Sequence, residues 1–94
     1  MSDWYLYIIR CRDNTLYTGI STDVDRRFSQ HQSEGYAGSR YLKGRGPLTL
    51  VFKEKLGSRS LALKVEHRVK KMAKARKEEL IKVSGSAADL VKDP

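Results

Sequence analysis

Trp4-Tyr5-Leu6-Tyr7-Ile8-Ile9-Arg10-Cys11, Arg12-Asp13-Asn14 and Thr15-Leu16-Tyr17-Thr18-Gly19-Ile20 follow one another near the start of the chain. The first block is aromatic and β-branched and has the length of a strand. The second is turn chemistry, because short polar side chains bond back to their own backbone and tolerate the left-handed region. The third block reads as another strand, so the pair predicts a hairpin. Alternation puts Tyr5, Tyr7 and Ile9 on one face of the first strand and Trp4, Leu6 and Ile8 on the other. Tyr17 and Gly19 share a face of the second. If paired residue numbers sum to 24, Tyr7 lies opposite Tyr17, and any even sum leaves both phenols on one sheet face. Gly19 has no side chain, so a ligand backbone is expected to approach there.

Beyond the hairpin, Thr22 offers a helix N-cap with Asp25 three positions on. Val24 and Phe28 then mark a short amphipathic helix over 23–32. Residues 33–47 carry four glycines together with Arg40, Lys43 and Arg45 and read as a basic loop. Residues 48–55 form a third strand, ended by Gly57-Ser58. Leu61, Val65, Val69 and Met72 make a helical stripe over 59–73, and Leu80 and Ile81 anchor a further helix over 74–83. The expectation is an α/β (α+β) fold of order β-β-α-β-α-α, a three-stranded sheet packed by helices. Residues 1–83 read as one domain and 84–94 as a short tail.

The whole chain has 94 residues, 39% of them hydrophobic, and 19 Lys plus Arg against 11 Asp plus Glu, a net charge of +8. Such an excess favours polyanions, because neutralising phosphates releases condensed counterions. An anionic membrane surface is the competing partner, and solubility alone is the plain reading of the charge. No apolar run approaches the ~20 residues that span a bilayer; nucleic acid, and no membrane, is the expected partner. Met1-Ser2-Asp3 lacks the basic start of a signal peptide. Cys11 is a single cysteine, with no partner for a disulfide and no Cys-x-x-Cys to hold zinc. The cytoplasm is the default location.

On the first helix Arg27 and His31 lie one turn apart. Two phenols, a guanidinium and an imidazole brought together would make a phosphate site. The set Tyr5-Leu6-Tyr7, Tyr17-Thr18-Gly19, Arg27, His31 and Glu66, in that order and spacing, resembles the GIY-YIG nuclease superfamily over residues 4 to about 80. The chain looks closest to the small bacterial members that consist of little besides the domain. Tyr5 stands where the family's first tripeptide has glycine, and Thr18 replaces the central isoleucine of the second; neither position supplies a catalytic group.

The resemblance implies a metal-dependent endonuclease acting on DNA, on branched, flapped or single-stranded structures in repair or recombination. It implies Tyr7, Tyr17, Arg27, His31 and Glu66 as catalytic residues, with Mg²⁺ or Mn²⁺ on Glu66. One carboxylate suffices if water and phosphate oxygens fill the other positions. Arg27 would grip the phosphate. Tyr7 would take the proton of the attacking water, which requires nearby positive charge to lower a phenol pKa of about 10. Tyr17 would orient Tyr7 or the water, and His31 would position phosphate or relay a proton.

Around this centre Gly19, Arg26, Arg40, Lys43, Arg45, Lys64, Arg68, Lys70, Lys71 and Lys74 are the expected nucleic-acid contacts, with DNA ahead of RNA. The plainer alternatives are an Arg27–Asp23 pair, a Glu66–Lys70 pair and a solvated basic helix face. The rival function is a non-catalytic nucleic-acid-binding module, on DNA or RNA, that retains the fold. A monomer is expected, and a protein partner is left open. Affinity for nucleic acid is expected to fall steeply from low to high salt in a fluorescence-anisotropy titration; a flat affinity overturns the polyanion reading.

Overall fold

The computed structural model describes residues 3–32, 46–83 and 87. Six elements follow in the expected order: β1 (Trp4–Arg10), β2 (Leu16–Ser21), α1 (Val24–Gln32), β3 (Thr49–Gly57), α2 (Arg59–Lys70) and α3 (Lys74–Lys82). The strands form one antiparallel sheet ordered β2-β1-β3. β1 is central, which explains why Leu6, Tyr7, Ile8 and Ile9 are all buried although consecutive side chains point to opposite faces. Arg40, Lys43 and Arg45 lie outside the described residues.

The hairpin register differs from the expected sum. Tyr7 pairs with Gly19 and Tyr17 with Ile9, so paired numbers sum to 26. The turn sets this. The Cys11 amide donates to the Thr15 carbonyl and the Asn14 amide to the Cys11 carbonyl, both at 2.9 Å. Asn14 adopts φ 70°, the left-handed residue of a three-residue loop. The Asp13 carboxylate accepts from the Thr15 amide (3.2 Å) and hydroxyl (2.6 Å). The loop is centred on Asp13, one position beyond the expected centre, and β1 stops at Arg10.

Two apolar layers sandwich the sheet. Leu6, Ile8 and Phe52 meet Val65 and Val69 of α2 and Leu80 of α3. On the opposite face Tyr7, Ile9, Cys11 and Leu48 pack with Val24 and Phe28 of α1. The cap of α1 is Asp23, one position later than expected: its carboxylate accepts from the Arg26 amide at 3.1 Å, while its own amide donates to the Ser21 hydroxyl at 3.0 Å. Gly57 ends β3 at φ +93°, a conformation that favours glycine. Ser58 then caps α2, accepting from the Leu61 amide at 3.1 Å.

α2 stops at Lys70, three residues short of the expected end, and Lys71–Ala73 turn the chain into α3. Arg10 holds α3 against the sheet through a bidentate pair with Glu78, with Nη1 at 2.7 Å from the carboxylate. The Arg10 hydrogen bonds hold the Glu78 carboxyl down to about 2. In the stretch read as a tail, Ala87 is buried and its amide donates to Glu54 Oε1 at 2.9 Å, so the chain returns to the sheet at that residue.

β3 carries one extra residue at two places. Ile8 and Ile9 pair with Phe52 and Leu50, leaving Val51 between; Trp4 and Tyr5 pair with Gly57 and Lys55, leaving Leu56 between. Both are β-bulges. Among the described residues no helix is long and apolar enough to cross a membrane.

Leu6 is fully buried in the layer under α2. Leu6→Ala is expected to lower unfolding free energy by about 2–5 kcal/mol in a urea titration; a loss well below that range would show that the layer re-forms around the gap.

Candidate active site

Tyr7 enters the α1 face of the sheet directly opposite Gly19. A Cβ built on Gly19 would stand 2.5 Å from the Tyr7 hydroxyl and 2.6 Å from Cζ. The phenol therefore lies across the glycine. The space expected to admit a ligand backbone at Gly19 is occupied by the Tyr7 ring, and the glycine serves the tyrosine.

Val24 and Phe28 seat α1 on this face, and the same helical period delivers His31. Its Nε2 lies 3.1 Å from the Tyr7 hydroxyl. The His31 ring is edge-on to Tyr17 at 5.5 Å between centroids, and Tyr7 and Tyr17 are 6.4 Å apart. The two phenols and the imidazole thus form one cluster, although Tyr7 and Tyr17 are not cross-strand partners. Arg27 is half-buried beside it, with Nη1 3.5 Å from the Gln30 side-chain oxygen.

The electrostatics depart from expectation at one point. Burial, followed by the neighbouring Tyr17, pushes the Tyr7 phenol up to about 12 from an ordinary value of 10.0. Arg27 opposes this through a hydrogen bond and its charge, but burial wins. Arg27 thus supplies part of the positive charge that the sequence reading required beside this phenol. Burial and the Arg27 charge both lower His31 from its ordinary 6.5, so the ring is neutral at pH 7. Its Nδ1 is buried with no hydrogen-bond partner among the described residues.

Glu66 comes from α2, which packs on the opposite face. Its charge is the smallest of the influences on the Tyr7 phenol and raises it. The side chain is 19% exposed, and the Lys70 ammonium lies 3.4 Å away. Among the described residues no three His, Cys, Asp or Glu side chains converge. Glu66, the carboxylate that the resemblance puts forward for a metal, is a lone donor there, and a lone carboxylate fits a hard ion such as Mg²⁺ or Mn²⁺ when water and substrate oxygens fill the other positions.

Arg26, Lys64, Arg68, Lys70, Lys71 and Lys74 are exposed. Lys74 also pairs with Glu78 at 3.4 Å. Lys53, which sequence reasoning passed over, is the β3 neighbour of Tyr7, 5.5 Å from the Tyr5 ring centroid and 3.9 Å from Asp25. Alternation from Leu50 would have placed it on the other face; the bulge at Val51 returns it to the Tyr7 side.

Residues 3–79 match a family model described as the GIY-YIG catalytic domain. The UPF0213 protein YhbQ of Escherichia coli strain K12 is 52% identical over 91 residues, covering 97% of this chain and 89% of that one. A UPF0213 protein of Cronobacter sakazakii is 56% identical over 81 residues, 86% of this chain and 83% of that one. Among solved structures, a UPF0213 protein of Bacillus halodurans superposes with a TM-score of 0.57 at 37% identity, covering 96% and 94% of the two chains. A protein of E. faecalis superposes with a TM-score of 0.63 at 33% identity, covering 87% and 85%.

In ¹³C-tyrosine NMR, Tyr7 Cζ is expected to stay at its protonated shift past the ordinary value of 10.0 and to move only near about 12. The folded state keeps this proton after the unfolded chain has lost it, so stability falls as pH rises through that window. A Tyr7 signal that titrates at the ordinary value would contradict the burial argument.

Proposed function

The chain belongs to the GIY-YIG catalytic-domain family, and on that premise we propose that it is a metal-dependent endonuclease that hydrolyses DNA phosphodiesters. Branched, flapped or single-stranded structures in repair or recombination are its substrates, and it works as a cytoplasmic monomer. The observation that carries this reading is the Tyr7–His31 contact of 3.1 Å, with Arg27 beside it.

A phenol held near 12 is a poor free base at neutral pH. Paired with a neutral imidazole it has another route. The Tyr7 oxygen accepts the proton of the attacking water while its own hydroxyl proton passes to His31 Nε2. Burial and Arg27 keep His31 neutral and ready to receive it. Arg27 holds the phosphate through its permanently charged fork. Tyr17, edge-on to His31, fixes the imidazole's orientation. Glu66 would hold Mg²⁺ or Mn²⁺, which when bound supplies positive charge against the negative charge developing on the phosphate. Arg26, Lys64, Arg68, Lys70, Lys71 and Lys74, together with Arg40, Lys43 and Arg45, contact the nucleic-acid backbone without reading sequence. Gly19 contributes by making room for Tyr7.

A non-catalytic nucleic-acid-binding domain, on DNA or RNA, is the second reading. It draws on the Tyr7 phenol being held protonated and on Glu66 being engaged by Lys70.

Labelled duplex, flap, branched and single-stranded DNA incubated with Mg²⁺, Mn²⁺ or chelator separates the two. Metal-dependent cutting is expected, reduced about 10²-fold or more by Glu66→Gln and by Arg27→Ala. The rate should reach a plateau at neutral pH and drop as pH falls through the His31 pKa, below 6.5, where the imidazole can no longer accept a proton. Binding without cutting on every substrate establishes the second reading, and cutting that survives both substitutions belongs to a contaminant.

A further inference from the structure

A cavity of about 330 Å³ opens along β2, lined by Leu16, Tyr17 and Thr18 of that strand, Lys70 of α2 and Lys77 of α3. It is a different place from the Tyr7–His31 cluster, and it touches that cluster only through Tyr17. Three observations make it a built site. Two lysines line it from separate helices, α2 and α3. Lys77 has no ion pair among the described residues, and Lys70 has Glu66 as its partner at 3.4 Å. Thr18 is 3% exposed and its hydroxyl has no hydrogen-bond partner among the described residues.

A buried hydroxyl without a partner is costly and leaves a donor free for an acceptor, and two lysines lining the same cavity favour an acceptor that carries negative charge. Threonine here stands where the related tripeptide carries isoleucine, so the chain has exchanged an apolar side chain for a donor at this wall. Leu16 and Tyr17 add an apolar side. Two cations, one donor and an apolar wall match a phosphate ester with its sugar, and the cavity is of ligand-site size.

We infer that this cavity is a phosphate subsite for the nucleic-acid strand, taking a backbone phosphate adjacent to the one that is cut, with Lys70, Lys77 and Thr18 as its ligands. The inference rests on the proposed nucleic-acid reading. Lys70 links the two places, being one helical turn from Glu66. A strand held here passes along the outer edge of β2 and brings its next phosphodiester to Arg27, Tyr7 and Glu66. Thr18, read from sequence as chemically silent, becomes a binding residue.

The test is binding of a fluorescein-labelled single-stranded deoxyoligonucleotide to the full chain in chelator, so that it is independent of cutting. The paired variant Lys70→Gln, Lys77→Gln is compared with Arg12→Gln, Lys82→Gln, which removes the same charge from exposed positions with no assigned role. The cavity pair is expected to weaken binding about tenfold or more and to lower the salt slope by about 2, with a much smaller loss for the other pair. Thr18→Val keeps the shape and removes the orphan hydroxyl. It is expected to raise Tm while weakening binding about threefold, a divergence that a merely structural threonine would not produce.

Equal losses from the two paired variants, or Thr18→Val that raises Tm with unchanged affinity, would overturn the subsite and leave the nuclease reading standing. Wild-type protein that binds no oligonucleotide overturns both. Binding that follows the expected pattern without any cutting supports the subsite and removes only the catalytic part of the proposed function.

Discussion

The Tyr7 ring lies across Gly19, and the architecture of the site depends on that contact. β1 is the central strand, so the side chains of its middle, Leu6 to Ile9, are buried on both faces, and Tyr7 among them buries its hydroxyl as well. The ring fits only because the facing residue has no Cβ. Once buried, the hydroxyl needs a polar partner, and His31 provides it at 3.1 Å. That partner is available because Val24 and Phe28 seat α1 on the same face, with Asp23 capping its first turn. A side chain at position 19 would disturb the phenol, then the imidazole, then the helix that carries Arg27.

Burial and charge compete over the same group. Desolvation raises the phenol, Arg27 lowers it, and desolvation is the larger effect. The same two causes act together on His31, where both disfavour the cation. The cluster therefore holds a neutral acid against a neutral acceptor, and burial favours the uncharged form of both. Glu66 is carried by the helix on the opposite face, and its negative charge adds to the raising of the Tyr7 phenol.

Much of this was legible in the chain. The alternation in residues 4–10 and 15–20 and the helical stripes after residue 59 announce the element order, because apolar spacing and burial are the same physical fact seen from two sides. The hairpin register was not legible. It turns on whether Asn14 takes the left-handed conformation, a choice made by backbone hydrogen bonds of the folded loop. Thr22 and Asp23 are adjacent capping residues, and only the geometry of the first turn chooses between them. The role of Gly19 emerges from a cross-strand neighbour, and the raised Tyr7 pKa sums over everything that buries it. Thr18 looked neutral beside the tyrosines because a hydroxyl's significance lies in whether it finds a partner.

The two bulges of β3 matter beyond the geometry of one strand. A three-stranded sheet has two outer rims, and a flat rim of unpaired amides is a template on which a neighbouring molecule can add its own strand. On β3 the inserted Val51 and Leu56 break the regular spacing of those amides and increase the local twist. Lys53 and Lys55 stand exposed along the same rim. An approaching strand would meet a mismatched hydrogen-bond spacing and two lysine side chains to displace, which disfavours pairing along this rim.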